Sequence, residues 1–338
     1  MEGQLGRVLG SYNLGELRTA RRIKCGFVND NWAVETAWGR YFLKHRHPHL
    51  RRPDLIRAQH DLMGWLRQAG FPAPAVVPTA SGETFLMLDG EFYEIHEYIE
   101  GKHYDHNRPA HLEEAALTLG RYHTHVQGCA PQALCNLDAL YSPVVLSTIL
   151  VHLRAAWQLD QNPDLTQTAQ ELEVQATDLA ARLARHGALP HLVIHGDYYG
   201  DNLLFDGNRI VGVVDYDKAR WQPRVVELAE ALIYFTTERP GHLKRIVYSG
   251  TLDFGAVHQF LVAYTDAVSL SESEIQALPH WIRTIWLCAS LNPPLEPLMS
   301  LEAAPQAVPE VLALARWAQT HASDIVEIGL AAQKNLCS

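Results

Sequence analysis

The chain has 338 residues, enough for two lobes that each have a hydrophobic core. Hydrophobic residues make up 47% and charged residues 20%, which is typical of a globular protein in water. The formal net charge is −10, from 28 Lys and Arg against 38 Asp and Glu. This charge argues against nucleic acid or an anionic membrane as the main partner, because both bind basic surfaces.

The first residues lack the basic and apolar segments of a secretory signal, and no run approaches 18 apolar residues. The five cysteines are scattered and contain no C-x-x-C pair, which indicates reduced thiols rather than disulfides or a zinc site. We therefore expect a cytoplasmic protein without a membrane span.

Residues 20 to 98 have the pattern of a small β-rich lobe with one helix. Strands are expected near residues 21–24, 32–36, 40–44, 85–88 and 92–98, and Asp89-Gly90 is a typical hairpin turn between the last two. The helix is predicted from Pro53 to Leu66, before Gly70 and Pro72.

The pattern beyond the hinge candidate, residues 98–101, is mostly helical. Helices are expected at 112–126, from Asp164 to Gly187, and around 225–236, 254–267, 272–288 and 307–333, with a hairpin at about 191–217. The predicted fold class is therefore α+β, with a β-rich N-lobe (1–97), a hinge (98–101) and a helical C-lobe (102–338) into which a β-hairpin is inserted.

The strongest motif begins at His195. Asp197 follows two residues later, Asn202 five residues after that, and Asp215 ends an apolar run thirteen residues further on. This is the spacing of a kinase catalytic loop (195–202) followed by a metal-binding segment (213–217). Such a layout predicts that Asp197 accepts the proton of the attacking hydroxyl, while Asn202 and Asp215 hold Mg²⁺.

These motifs, with Glu97-Tyr98-Ile99-Glu100-Gly101, resemble the aminoglycoside phosphotransferase and choline kinase superfamily, and especially its homoserine-kinase-like branch. The resemblance covers residues 20 to 290. It implies a two-lobed protein-kinase-like fold, ATP and Mg²⁺ as cofactors, and a small molecule with a hydroxyl group as phosphate acceptor. Homoserine, amino alcohols, aminosugars and aminoglycosides all lie within the range of that superfamily.

The resemblance also implies nucleotide-binding residues in the N-lobe. Lys44 has the position of the third-strand lysine that contacts phosphates, and the preceding loop contains only one glycine. The implied nucleotide-binding residues are Lys44, Gly26, Asn31, Glu97, Tyr98 and Ile99. The lower-ranked site candidates are His195, as an anchor of the loop, and Asp217, Asp201 and Gln59.

Some positions leave alternatives open. The residue expected to pair with Lys44 falls on Gln59, which has no charge, so the partner of Lys44 is undecided. The segment His45 to Arg52 reads as a solvated basic loop, with a histidine metal site as the lesser alternative. Four aromatic residues are candidates either for the core or for a substrate pocket: Trp221, Tyr234, Trp281 and Trp286.

Two other functions remain possible from the sequence. A Ser/Thr protein kinase is disfavoured because Gly196 replaces the usual Arg and no long activation segment follows Asp217. A nucleotide-binding pseudokinase is suggested by Gln59 and by the glycine-poor loop. The presence of Asp197, Asn202, Asp215 and Lys44 argues against it.

Overall fold

The computed structural model describes residues 2–23, 29–156, 163–238, 250–291 and 304–334. Within these ranges an antiparallel sheet with two helices is followed by a mostly helical part that contains two short pairs of strands. The predicted α+β class with a β-rich N-lobe and a helical C-lobe is confirmed.

The N-lobe sheet has the strand order β1-β2-β3-β6-β4, and β5 pairs with the other part of β6. Its strands are β1 (Leu17–Ile23), β2 (Asp30–Thr36), β3 (Gly39–His45), β4 (Val76–Val77), β5 (Leu86–Leu88) and β6 (Glu91–Glu97). The turn between β5 and β6 has positive φ at both Asp89 (52°) and Gly90 (78°), as a two-residue hairpin requires. The sequence prediction of this hairpin is confirmed.

An additional helix, α1 (Glu2–Gly10), covers one face of the sheet and was not predicted. Val8 and Leu9 are buried in a hydrophobic cluster with residues of β2, β3 and β6. Tyr12, just after the helix, donates a hydrogen bond to the carbonyl oxygen of Tyr93 (2.9 Å). Packing against the sheet stabilises this short, glycine-containing helix, which is weakly helical by itself.

The helix α2 (Pro53–Gln68) joins the cores of the two lobes. Its first residue is proline, and the chain leaves the helix at Gly70 with φ of 79°. Ile56 packs with Phe85 and Phe92 of the N-lobe, whereas Leu62 and Leu66 belong to the large hydrophobic core of the C-lobe. The helix therefore has contacts on both sides of the cleft.

The C-lobe begins with α3 and consists mainly of helices. They are α3 (Pro109–His125), α4 (Gln132–Cys135), α5 (Pro143–Ala156), α6 (Pro163–Ala184), α7 (Arg224–Thr236), α8 (Phe254–Thr265), α9 (Glu272–Leu291), α10 (Ala304–Thr320) and α11 (Ala322–Lys334). The single helix expected at 307–333 is thus two helices, and α4 and α5 were not anticipated. No helix among the described residues is long and apolar enough to cross a membrane.

Two antiparallel strand pairs carry the motif residues. They are β7 (His191–Ile194) with β10 (Arg220–Pro223), and β8 (Leu203–Asp206) with β9 (Arg209–Val213). Lys102, just after the predicted hinge (98–101), exchanges two backbone hydrogen bonds with Phe205 (2.9 and 2.7 Å). The hinge is therefore held against the β8–β9 hairpin.

Candidate active site

The predicted catalytic loop (195–202) starts where β7 ends, and His195 is fully buried at its first position. His195 Nε2 lies 3.1 Å from the carbonyl oxygen of Val214, and Nδ1 accepts a hydrogen bond from the backbone N–H of Asp197 (3.3 Å). Burial lowers the pKa of His195, which favours the neutral ring that this pattern needs. The histidine thus links the loop to the metal-binding segment.

Gly196 has two features that a larger residue would not satisfy. Its φ is 75°, and a Cβ atom there would lie 2.5 Å from the carbonyl oxygen of Lys218. Its backbone N–H donates to Oε1 of Glu227 (2.6 Å), a fully buried residue of α7. The requirement for glycine is therefore local geometry at the tightest point of the loop.

The side chain of Asp197 lies between an amide and a lysine. Asn202 Nδ2 donates to the carbonyl oxygen of Asp197 (2.8 Å) and to its Oδ2 (3.2 Å). Lys218 Nζ donates to Oδ1 at 2.7 Å. Because the amide nitrogen of Asn202 faces Asp197, the Oδ1 atom of Asn202 is the one that can bind a cation. Asp201 is half-buried in the 3-10 turn that also contains Asn202.

Asp215 has a strained backbone, with φ 71° and ψ 71°. Such a conformation costs about 1–3 kcal/mol for a residue with a side chain and is concentrated at functional sites. The preceding residue, Val214, donates a backbone hydrogen bond to the carbonyl oxygen of Asn202 (3.0 Å). This bond fixes the metal-binding segment beside the catalytic loop.

Lys44 extends from β3 to this segment and is 6% exposed. Its Nζ lies 3.1 Å from Oδ1 of Asp215 and 2.9 Å from Oδ1 of Asp217. Burial alone would lower the pKa of Lys44, but these two carboxylates raise it, so the amine is charged. Lys44 therefore has two acidic partners, and both come from the segment after β9.

Gln59 makes no contact with Lys44 that would replace an ion pair, at least among the described residues. Its Oε1 accepts a hydrogen bond from Arg46 (2.8 Å), and its Nε2 donates to the carbonyl oxygen of Asp217 (3.1 Å). Gln59 thus connects α2 to the metal-binding segment through its amide group. The partners of Lys44, which the sequence left undecided, are Asp215 and Asp217.

The expectation of a solvated basic loop is wrong for Arg46, which is only 2% exposed. Arg46 forms an ion pair with Glu94 of β6, and its Nη1 lies 3.1 Å from Oδ1 of Asp217. Burial would raise the pKa of Glu94, but Arg46, together with hydrogen bonds from His60 and His96, holds it well below its ordinary value. Arg46 is buried because Glu94 lies across the strand pair, two residues away in register.

One group of possible metal ligands occurs among the described residues: His60, Glu94 and His96. Both oxygens of Glu94 already accept hydrogen bonds from the Arg46 guanidinium. The Arg46 guanidinium therefore already supplies the positive charge that a metal ion would bring to Glu94. The alternating histidines at positions 45, 47 and 49 do not form this group.

The hinge candidates have different environments. Glu97 is exposed and bonds to Arg67 (3.2 Å), while the ring of Tyr98 lies 4.3 Å from the guanidinium of Arg40. Ile99 packs against the β8–β9 hairpin, where a Cβ atom at Gly212 would be 3.0 Å from its side chain. Asn31 is buried and pairs with Lys44 in the strand register. Gly26 lies outside the described residues.

The oxygen donors fit a hard divalent cation. Asp215 offers a carboxylate and Asn202 an amide oxygen, which are ligand types that Mg²⁺ binds, and the hydrogen bond between Val214 and Asn202 joins the two segments. Lys44 also shows that the carboxylates of Asp215 and Asp217 can share one cation. Arg46 offsets the charge of Asp217 and lowers its pKa against the effect of burial.

The aromatic candidates divide into two pairs. Trp281 and Trp286 are buried in the C-lobe core, whereas Trp221 and Tyr234 are half-buried. The residues that sequence reasoning missed are Arg46, Glu94 and Lys218. Only Lys218, which directly follows Asp217, carried a signal in its position, because the other two meet through strand pairing.

Comparisons with known proteins identify the family of this chain. The model of a phosphotransferase enzyme family matches residues 19–258. A homoserine kinase from Methylobacillus glycogenes is 29% identical over 284 residues, 83% of this chain and 80% of that protein.

Solved structures show the same fold. A choline kinase from Cryptosporidium parvum Iowa II has a TM-score of 0.66 at 13% identity and covers 98% of this chain and 99% of its own. An amicoumacin kinase in complex with AMP-PNP and Ca²⁺ has a TM-score of 0.63 at 13% identity, covering 96% and 94%. Since the family model matches well over half of its length, the chain belongs to the phosphotransferase enzyme family.

Proposed function

We propose that this protein transfers the γ-phosphate of ATP, in a Mg²⁺-dependent reaction, to a hydroxyl group of a small molecule. The observation that carries the proposal is the convergence of Asp197, Asn202, Asp215 and Lys44 in one cleft. Phosphoryl transfer needs a base for the hydroxyl, oxygen ligands for the metal and a cation for the phosphates, and these residues provide one of each.

Each residue has a distinct role in the proposed reaction. Asp197 Oδ2 orients the acceptor hydroxyl and accepts its proton, while Asn202 holds the Asp197 side chain in place. Asp215 and the Oδ1 atom of Asn202 would hold the metal ion, which would neutralise charge on the transferring phosphoryl group. Lys44 binds phosphate oxygens once the nucleotide competes for its amine.

The names of similar proteins narrow the class of candidate substrates. A homoserine kinase and a choline kinase are among the proteins that resemble this chain, and both names denote a small alcohol with a nitrogen-bearing group. AMP-PNP and Ca²⁺ in the amicoumacin kinase support a nucleotide and a divalent cation. We therefore place homoserine, amino alcohols, aminosugars and aminoglycosides first among candidate acceptors.

The geometry after Asp217 favours a small molecule over a protein substrate. Only residues 218–223 separate Asp217 from α7, and four of them form β10, paired with β7. This leaves no segment there that could act as a phosphorylated activation loop or as a docking surface for an extended peptide.

The test is a coupled assay of ADP release with Mg-ATP. The acceptor panel contains homoserine, choline, ethanolamine, hexosamines, aminoglycosides and a generic protein. We expect one small-molecule acceptor to raise turnover well above background, and Asp197→Asn to reduce it by about 10² or more, as loss of a general base does.

The matched control is Asp206→Asn, which changes an exposed carboxylate at the end of β8. It should retain wild-type turnover. Equal turnover in Asp197→Asn and wild type would remove Asp197 as the base. Nucleotide binding without turnover on any acceptor would favour a pseudokinase.

A further inference from the structure

One buried acid, Glu230, lies beside the predicted catalytic loop. Glu230 of α7 is 2% exposed, and its Oε1 accepts a hydrogen bond from the Tyr141 hydroxyl (2.7 Å). No ion pair of Glu230 occurs in the part of the chain that the structure describes. Buried carboxylates are rare without a positive partner, so this position requires an explanation.

Glu230 lies on the face of α7 that borders the catalytic loop, where the acceptor is proposed to bind. Tyr234 lies one turn further along the same face of α7, and its ring centroid is 5.3 Å from that of Tyr199. Tyr199 follows Asp197 by two residues in the loop. The face of α7 that carries Glu230 and Tyr234 therefore borders the loop that holds the proposed base.

The charges around Glu230 do not neutralise it. Lys218 attracts Glu230 electrostatically, but its amine binds Oδ1 of Asp197 at 2.7 Å. Burial is the main reason that the pKa of Glu230 is raised to about 8. The groups that face it are Tyr141, Lys218, Asp197 and Glu227, with Arg220 on β10.

We propose that Glu230, together with the Tyr141 hydroxyl, binds a primary ammonium group of the phosphate acceptor. This inference rests on the proposed function and narrows it, since the acceptor becomes a primary amino alcohol. A carboxylate and a tyrosine oxygen accept hydrogen bonds from N–H groups, and such charge-assisted bonds are strong. A quaternary ammonium has no N–H group to donate, so choline fits this site poorly.

The kinetic test compares acceptors with and without the amine. Ethanolamine, 3-amino-1-propanol and homoserine are the primary amino alcohols, while choline and ethylene glycol lack a primary amine. In Glu230→Gln the KM for the amino alcohols should rise about tenfold or more, with a much smaller change in kcat. The KM for ethylene glycol should not change.

The matched control is Glu272→Gln, which removes an exposed carboxylate at the start of α9. Its kinetic constants should equal those of the wild type. An equal rise in KM for ethylene glycol and ethanolamine in Glu230→Gln would overturn the inference, because it would indicate a general structural effect.

The pH dependence gives a second readout. The carboxyl group must be ionised to pair with an ammonium, and it is protonated below its raised pKa of about 8. The KM for ethanolamine should therefore increase as the pH falls below about 8 in the wild type. Glu230→Gln should lack this dependence, and an unchanged pH profile would contradict the assignment.

Calorimetry separates this inference from the proposed function, since it needs no turnover and no variant. Ethanolamine binding in buffers of different ionisation enthalpy should release a proton from the wild-type protein. Binding with proton release but without phosphorylation would count against the kinase function alone. If none of the three primary amino alcohols binds, or binding releases no proton, the ammonium site is refuted.

Discussion

Arg46 connects strands β3 and β6 of the N-lobe to the predicted metal-binding segment (213–217). Its guanidinium contacts Glu94 of β6, Gln59 of α2 and Asp217. Asp217 forms ion pairs with both Lys44 and Arg46. Since Asp217 is an acidic partner of Lys44, this lysine does not need an acid from α2. Lys44, Arg46 and the buried Glu94 take the place of the lysine–glutamate ion pair of protein kinases, for which the sequence offers only the uncharged Gln59.

The first prediction concerns the removal of this charge. Arg46→Met leaves Glu94 buried without its cation, and breaking a buried pair in this way costs about 3–5 kcal/mol. We expect the free energy of unfolding in denaturant to fall by that amount. The double variant Arg46→Met with Glu94→Gln should recover part of the loss, because the unpaired charge is gone.

The control for this experiment is Arg18→Met in β1, an exposed arginine of the same sheet. Its free energy of unfolding should stay within about 0.5 kcal/mol of the wild type. A similar loss of stability in both single variants would mean that Arg46 contributes through general charge rather than through its buried contacts.

At the scale of elements, the hinge and the β8–β9 hairpin form one unit. Lys102 and Phe205 exchange backbone hydrogen bonds, and a Cβ atom at Gly101 would lie 2.8 Å from Cβ of Leu204. The glycine permits this close approach without a positive φ, so its role is steric. The position of the hairpin in turn sets the position of Asn202 and Asp215, which flank its strands.

A second prediction follows for Gly101→Ala. The hairpin must move away from the hinge, and overpacking of this kind costs about 1–3 kcal/mol. We expect a lower free energy of unfolding and weaker Mg-ATP binding by calorimetry. Gly64→Ala is the matched control, since nothing lies within 4 Å of its added methyl group in α2. It should stabilise the protein by about 0.4–1 kcal/mol.

The elements also show where sequence reasoning succeeds. The Asp89-Gly90 hairpin and α2 were predicted because their signals are local: a turn dipeptide in one case, and proline before an apolar stripe in the other. Helix α1 was missed because it contains three glycines and is stabilised by its contact with the sheet.

The same limit applies to the candidate site. The spacing from His195 to Asp215 is a local pattern, and the structure brings these residues together in the expected cleft. The contacts of Arg46 with Glu94 and of Lys218 with Asp197 are long-range pairs. The position of Lys218 after Asp217 indicates a site residue, but one sequence gives no signal for the pairing itself, because any buried acid could accept either cation.

At the scale of the whole molecule, the sheet of the N-lobe and the C-lobe have different hydrophobic clusters. The sheet that carries Lys44 shares a small cluster with α1, whereas the C-lobe has one large cluster that includes residues of α2. The sheet contacts the C-lobe through polar groups, as between Lys44 and Asp215, whereas α2 combines a polar contact of Gln59 with Asp217 and apolar packing of its side chains in the large cluster. We therefore expect the sheet to open at a lower free energy than the C-lobe core.

Hydrogen exchange measured by mass spectrometry tests this difference. Without nucleotide, amides of β1 to β3 should exchange faster than those of β7, α7 and α9, whose residues are buried in the large core. An ATP analogue with Mg²⁺ at 100 times its Kd should protect β3 by up to about 2.7 kcal/mol, since it binds only the closed sheet. In Asp215→Ala this protection should disappear, because the metal ion loses its carboxylate ligand. Equal protection in the variant and the wild type would place the metal on another residue, and slower exchange in the sheet than in α7 would refute the order of stabilities.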